Sequence, residues 1–166
     1  FLVRLLSCLL VCKFSRQAPK VREGLELMRK DLIFEDAKRL FLQYGGVATI
    51  SHCLLTANPL FTASSAAILL TLSTESAYSR SFLQHCCETP LFAEACVSGL
   101  SSDNVDVQES LTVVLQKISS QPKLRKFFAR NPCLKSSLME LMYRPEEDHQ
   151  FVQLNIRSLF ANLKTI

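Results

Sequence analysis

RLFLQ at residues 39–43, RSFLQ at residues 80–84 and RKFFA at residues 125–129 are variants of one short element, and each opens a block with the same order of patterns. The phenylalanines Phe41, Phe82 and Phe127 are separated by 41 and 45 positions. A period of about 40–47 residues is typical of arrays built from stacked two-helix or three-helix units. Their units bury surface against their neighbours and leave one long surface free. The spacing therefore predicts a helical repeat protein that holds a partner.

Each block contains a short helix, a medium helix and a longer helix. Turn signals separate them, because glycine allows a left-handed cap and the residue before proline leaves the helical region. These signals are Gly45-Gly46, Asn58-Pro59, Thr89-Pro90 and Asn131-Pro132. We predict one domain of about three and a half repeats, just above the number that an array needs for stability. Residues 1–34 form a partial repeat, and 35–73, 74–119 and 120–166 form full repeats.

Composition favours a packed, all-α chain. Hydrophobic residues make up 48% of the 166 residues and charged residues 20%, which argues against disorder. Only 4 glycines and 6 prolines interrupt the sequence, too few for a turn-rich β fold. The net charge of +4 comes from 19 basic and 15 acidic residues of interspersed sign, so it does not by itself indicate nucleic-acid or membrane binding.

The first twelve residues are mostly apolar and resemble a signal-peptide core. Arg4 interrupts the run, however, no initiating methionine precedes it, and the run is too short to span a bilayer. We interpret it as a buried repeat helix. We therefore expect the chain to be a fragment of a longer protein that starts inside a helix.

Two motifs carry a resemblance to a known family. Residues 155–163, NIRSLFANL, look like the final helix of an armadillo repeat, and Gly45-Gly46-Val47 looks like the glycine-rich junction before its second helix. The three-helix order of the blocks also resembles the armadillo repeat family over nearly the whole chain. HEAT repeats have similar length but two helices, so the separate short helix in each block favours armadillo.

The resemblance implies a right-handed superhelix, an α-solenoid, whose concave face is lined by the long helices. Peptide-binding armadillo proteins carry a ladder of tryptophan and asparagine on that face. This chain has no tryptophan, and of the matching positions only Asn162 keeps the asparagine, which argues against binding of nuclear-import cargo. The polar residues that we predict to line a partner-binding groove are Ser64, Thr71, Ser110, Lys117, Asn155 and Asn162. The competing interpretation is an ordinary solvated helix face.

A basic cluster is the strongest charge feature. It consists of Lys123, Arg125, Lys126, Arg130 and Lys135, with Phe127 and Phe128 between them. One hypothesis is that these cations contact nucleic acid or another acidic surface, with salt-sensitive affinity. We favour the structural interpretation, in which the two phenylalanines face the core and the cations form an ordinary solvated surface.

Catalysis, cofactor binding and metal binding are not indicated. His149 adjoins Asp148, but neighbouring residues on a helix point apart, so they do not form an acid–base pair. The pairs His52-Cys53 and His85-Cys86 have no ligand spacing for zinc, and the glycines lack a phosphate-loop pattern. Seven cysteines without a paired framework indicate reduced, buried thiols.

The sequence thus predicts a non-enzymatic scaffold for protein–protein interaction that binds a peptide or helix along its groove or at an end of the array. Nucleic-acid or acidic-surface binding through the basic cluster is the alternative. Self-association, or packing on further repeats, is a third hypothesis for the ends. We expect an intracellular protein, cytoplasmic or nuclear, without a membrane segment.

Overall fold

The computed structural model describes residues 2–74, 77–144 and 149–164, and within these ranges every regular element is a helix. The all-α prediction is confirmed for them. The elements are α1 (Leu2–Phe14), α2 (Ala18–Asp31), α3 (Glu35–Gln43), α4 (Gly46–Leu55), α5 (Pro59–Thr74), α6 (Ser79–Glu88), α7 (Phe92–Leu100), α8 (Val105–Ser120), a 3-10 turn (Pro122–Leu124), α9 (Lys126–Arg130), α10 (Pro132–Met142) and α11 (Gln150–Lys164).

The helices stack in two rows. One row contains the long helices α2, α5, α8 and α11, each packed on the next. The second contains α1, α4, α7 and α10 in the same order. One continuous hydrophobic core lies between the rows, and the short helices α3, α6 and α9 pack against neighbouring helices beside it. This translational order is that of an α-solenoid, in which each unit contacts its neighbours.

The repeated phenylalanines occupy equivalent buried positions on the short helices. Phe41 and Phe82 are fully buried, and Phe127 is almost so. Phe127 packs edge-on against Phe128, with ring centroids 5.5 Å apart, and its centroid lies 6.0 Å from that of Phe92 on α7. The element that reveals the repeat in the sequence therefore anchors each short helix to the core.

Two adjacent glycines make the turn between α3 and α4, for different reasons. Gly45 has φ of 75°, the left-handed conformation that glycine adopts without steric cost. Gly46 has an ordinary conformation but lies against the Phe41 ring, and a Cβ placed on it would meet ring atoms at 2.4 Å. The predicted glycine cap is confirmed, and the second glycine is needed for space.

Helix α1 is buried on one side only, which corrects the interpretation of residues 1–14 as a buried helix. Its core face is Leu5, Cys8, Leu9 and Cys12. The opposite side exposes apolar residues, with Val3 77%, Leu10 58% and Phe14 69% accessible. The core face of α1 packs against α2, α3 and α4, whereas its opposite side faces solvent.

A buried carboxylate joins α1 to α2. Asp31, only 1% exposed, accepts a hydrogen bond from Arg4 Nε at 2.9 Å, and its other oxygen accepts from Arg4 Nη2. A carboxylate out of contact with water requires such a partner. Arg4, which interrupts the apolar run, therefore pairs with this carboxylate.

Some local predictions differ from the structure or lie outside it. The short helix of the third block is divided into the 3-10 turn Pro122–Leu124 and α9. In the turn, the amides of Leu124 and Arg125 donate to carbonyl groups three residues back. The short helix predicted to begin at Ser76 begins at Ser79, and residues 75–76 are outside the described ranges. Most of the predicted acidic loop, residues 145–148, is also outside them.

Candidate functional site

The six predicted groove residues lie on three neighbouring long helices. Ser64 and Thr71 are on α5, Ser110 and Lys117 are on α8, and the remaining two are on α11. All six are partly exposed. We call the solvent-facing side of α2, α5, α8 and α11 the long-helix face. The structure places all six on this face, so they form one candidate surface; their contact with a partner stays a prediction.

Two of the three hydroxyl groups among these six residues are bonded within their own helices. Thr71 Oγ1 donates to Ala67 O at 3.0 Å, and Ser110 Oγ donates to Asp106 O at 2.8 Å. Such bonds one turn back use the hydroxyl proton. A partner would therefore meet these oxygens as acceptors.

The two asparagines lie at the junction between α8 and α11, which we call the α8–α11 seam. Asn155 Nδ2 donates to Thr112 Oγ1 at 3.3 Å, and Asn162 Nδ2 donates to Ser119 Oγ at 3.1 Å. Gln116 Nε2 donates in the opposite direction, to Ser158 Oγ at 3.2 Å. The amides predicted to bind a partner thus also hold the last helix on its neighbour.

Lys117 is the charged member of the predicted groove. Its side chain is partly exposed on α8. Within the described part of the chain it forms no ion pair. On the neighbouring helix α5, the outward-facing residues Ala63, Ser64 and Ala67 have small side chains. The long-helix face therefore combines a lysine, which forms no ion pair within the described residues, with a stretch of small side chains that the backbone of a partner can approach closely.

The predicted basic cluster is divided in the structure. Lys123, Lys126 and Arg130 line a cleft between α6 and α9, with a volume of about 440 Å³. Arg125 instead donates from Nε to Ser119 O at 2.9 Å, and Lys135 is exposed on α10 outside the cleft lining. The prediction that the intervening phenylalanines face the core is confirmed by their burial.

The second wall of that cleft comes from the preceding block and was not predicted. Gln84, Cys87 and Glu88 line it from the C-terminal turn of α6. The repeat spacing could have indicated this wall, because α6 and α9 are equivalent short helices of adjacent blocks. We call the space between them the α6–α9 cleft.

The seven cysteines are free thiols, and most of them are buried. Cys133 is exposed, Cys87 is partly buried, and the other five cysteines are buried without disulfides. Burial raises the pKa of Cys87 to about 12, with the charge of Glu88 adding to the effect, so this thiol is protonated at neutral pH. In the described ranges, no group of three or more His, Cys, Asp or Glu side chains is arranged to hold a metal ion.

A second feature that was not predicted is an exposed apolar surface on α1. The outer side of α1 exposes Val3, Leu10 and Phe14. A groove of about 280 Å³ runs between α1 and α2 and is lined by Cys8, Val11, Gly24, Leu27 and four polar residues. Large exposed apolar patches mark sites of protein contact. Among the described helices, none has both the length and the apolarity required to cross a bilayer.

Comparison with known proteins gives a family match over almost the whole chain. The family model for the C-terminal domain of coiled-coil domain-containing protein 138 matches residues 1–163. The human protein of that name is 30% identical over 164 residues, which are 97% of this chain and 24% of the relative. The mouse protein is 27% identical over 163 residues, with the same coverage. The chain thus spans about a quarter of the length of these curated relatives.

The solved structures with a similar fold include engineered proteins. A designed armadillo repeat protein, solved in complex with the peptide (KR)4, has a TM-score of 0.73 at 12% identity and covers 93% of this chain and 62% of its own. An engineered protein from the Northeast Structural Genomics Consortium has a TM-score of 0.73 at 16% identity, covering 95% of this chain and 63% of its own. The prediction of an armadillo-type α-solenoid is confirmed. The resemblance to armadillo proteins is one of fold, because the family model that matches the sequence is that of coiled-coil domain-containing protein 138.

Proposed function

Because the chain belongs to the family of the C-terminal domain of coiled-coil domain-containing protein 138, and because its fold is an armadillo-type solenoid, we propose that it is a non-enzymatic protein-interaction module. It binds a peptide or helix of a partner protein along the long-helix face. The observation that carries this proposal is the alignment of four long helices, which presents partly exposed polar side chains on one continuous surface.

Three further observations support the proposal. The designed armadillo protein of the same fold holds a peptide, which shows that such a solenoid can serve this purpose. Lys117 supplies a cation without an ion-pair partner in the described ranges, and the small residues of α5 leave room beside it.

Charge reversal at Lys117 tests the long-helix face. The chain is used as bait in a cell extract, captured proteins are identified by mass spectrometry, and affinity for the captured partner is then measured. We expect Lys117→Glu to weaken binding on the order of tenfold, because it places repulsion where attraction existed. The helical circular dichroism signal should not change, since the lysine side chain is partly exposed.

Lys135→Glu is the matched control. It makes the same charge change on α10, outside the long row of helices, and should leave partner binding unaltered. Equal affinity of the Lys117→Glu and unmodified chains for the partner would show that the long-helix face is not the binding surface.

The exposed apolar side of α1 supports a second candidate, self-association through α1. In the stack, α4, α7 and α10 each pack against the equivalent helix of the preceding unit. The outer side of α1 is apolar, as a surface that packs against another helix would be. We expect sedimentation of the chain to depend on concentration, and Leu10→Lys to abolish that dependence, because a charge would have to be buried. A chain that stays monomeric at about 100 μM, where weak apolar contacts between proteins form, would exclude this candidate.

A further inference from the structure

The α6–α9 cleft has the features of an anion-binding site that is separate from the long-helix face. It is formed where the C-terminal turn of α6 faces the 3-10 turn and α9. Its volume of about 440 Å³ falls within the range of small ligand sites, roughly 300–1,000 Å³. Lys123, Lys126 and Arg130 supply three cations to its lining.

These three cations have no ion-pair partner within the described part of the chain. The one carboxylate of the lining, Glu88, accepts a hydrogen bond from Gln84 Nε2 at 2.8 Å. Three positive charges and one negative charge leave an excess of two positive charges in the cleft. An incoming dianion would neutralise that excess.

The chain geometry brings the cations together. Lys126 and Arg130 are four residues apart on α9, so their side chains project from the same side of the helix. Lys123 lies three residues before Lys126, on the adjoining 3-10 turn. Three donors from one short segment therefore face the same space, which suits a compact anion with several acceptor oxygens better than charges spread along a partner chain.

The apolar part of the lining argues against nucleic acid. Single strands are held by aromatic rings that stack on bases, together with a track of cations along the backbone. Phe127 is the one aromatic residue of the cleft lining, and it is buried against Phe92 and Phe128. Arg125 is bonded to the backbone, so the cations form a compact group without a continuous track.

We propose that the α6–α9 cleft binds a phosphate monoester carried by a phosphorylated serine or threonine of a partner protein. The phosphate oxygens accept hydrogen bonds from Lys123, Lys126 and Arg130, and the segment next to the phosphate packs on Leu124. A phosphomonoester carries close to two negative charges at neutral pH, which matches the excess charge of the cleft. This site goes beyond the proposed function and would make association with that partner dependent on phosphorylation.

Titration of the isotope-labelled chain followed by NMR tests the proposal. The probes are the pentapeptide Ala-Ala-phosphoserine-Ala-Ala, the same peptide with serine, and inorganic phosphate. We expect the phosphopeptide to shift amide signals of residues 84–88 and 123–131, inorganic phosphate to compete, and the serine peptide to have no effect. Arg130→Gln should weaken phosphopeptide binding on the order of tenfold, because it removes a charge-assisted donor.

Two further variants separate a site from general attraction. Glu88→Gln should strengthen binding roughly threefold, because it removes the opposing charge. Lys135→Gln removes a cation outside the cleft and should leave binding unchanged. No shift at about 10 mM phosphopeptide, a concentration well above that of ordinary weak complexes, would overturn the proposal. So would equal weakening by Lys135→Gln, or tighter binding of oligouridine or of phosphatidic acid vesicles than of the phosphopeptide.

Discussion

Gly46→Ala is expected to lower the free energy of unfolding by about 3 kcal/mol, the upper part of the range for overpacked cores. The new methyl group would lie 2.4 Å from the Cγ and Cδ2 atoms of Phe41. Phe41 is fully buried, and the clash involves the base of its ring, so a small rotation of the ring tip gives no relief. Urea denaturation followed by circular dichroism measures the loss.

The neighbouring glycine and the ring itself provide controls. Gly45→Ala adds a methyl group with no atom within 4 Å, so its cost is the left-handed backbone alone, about 1 kcal/mol. Phe41→Ala removes the obstacle, so the loss caused by Gly46→Ala should be much smaller in that background. If the two glycine variants were equally stable, or if the effects of Gly46→Ala and Phe41→Ala were additive, steric contact with Phe41 would be the wrong explanation.

Phe82→Ala is expected to cost about 3–5 kcal/mol, the usual cost of emptying a fully buried phenylalanine site. Phe82 is 0% exposed, and its helix α6 packs against α4, α5, α7 and α8. Because each unit of a solenoid is stabilised by its neighbours, a defect in the middle should also weaken coupling between the two ends. The unfolding transition should become broader as well as earlier.

Two probes on opposite sides of Phe82 make that loss of coupling measurable. Native-state hydrogen exchange would follow amides of α4 and of α8 in the same sample. In the unmodified chain we expect both groups to report one opening free energy, and in Phe82→Ala two different values. Leu91→Ala is the control, because Leu91 is 46% exposed and its truncation should change stability by less than about 0.5 kcal/mol. A single, shared opening free energy in Phe82→Ala would contradict the argument.

Most of the fold was accessible from the sequence because its signals are local and repeated. The spacing of Phe41, Phe82 and Phe127 reports the period, and proline and glycine mark helix ends wherever they occur. The sequence did not predict that the outer side of α1 is exposed to solvent. An apolar run predicts which residues prefer burial, but whether a neighbour covers them depends on position in the stack.

The candidate surface was predicted less completely. Asn155 and Asn162 are partly exposed on α11. Their bonds to Thr112 and Ser119 depend on how α8 and α11 approach each other, which the sequence of one helix does not indicate. The α6–α9 cleft was missed for the same reason. The cations of α9 are close together in the sequence and can be recognised there. Gln84 and Glu88, which line the opposite wall of the cleft, belong to another block.

The α8–α11 seam determines how the last helix is docked. The apolar residues between the two helices make contacts without directional preference, so they alone would tolerate sliding. Displacement of α11 along its axis by one turn, about 5.4 Å, would break all three hydrogen bonds at once. The polar pairs therefore specify a single register, and any ligand that spans both helices meets the same relative positions of their side chains in every molecule.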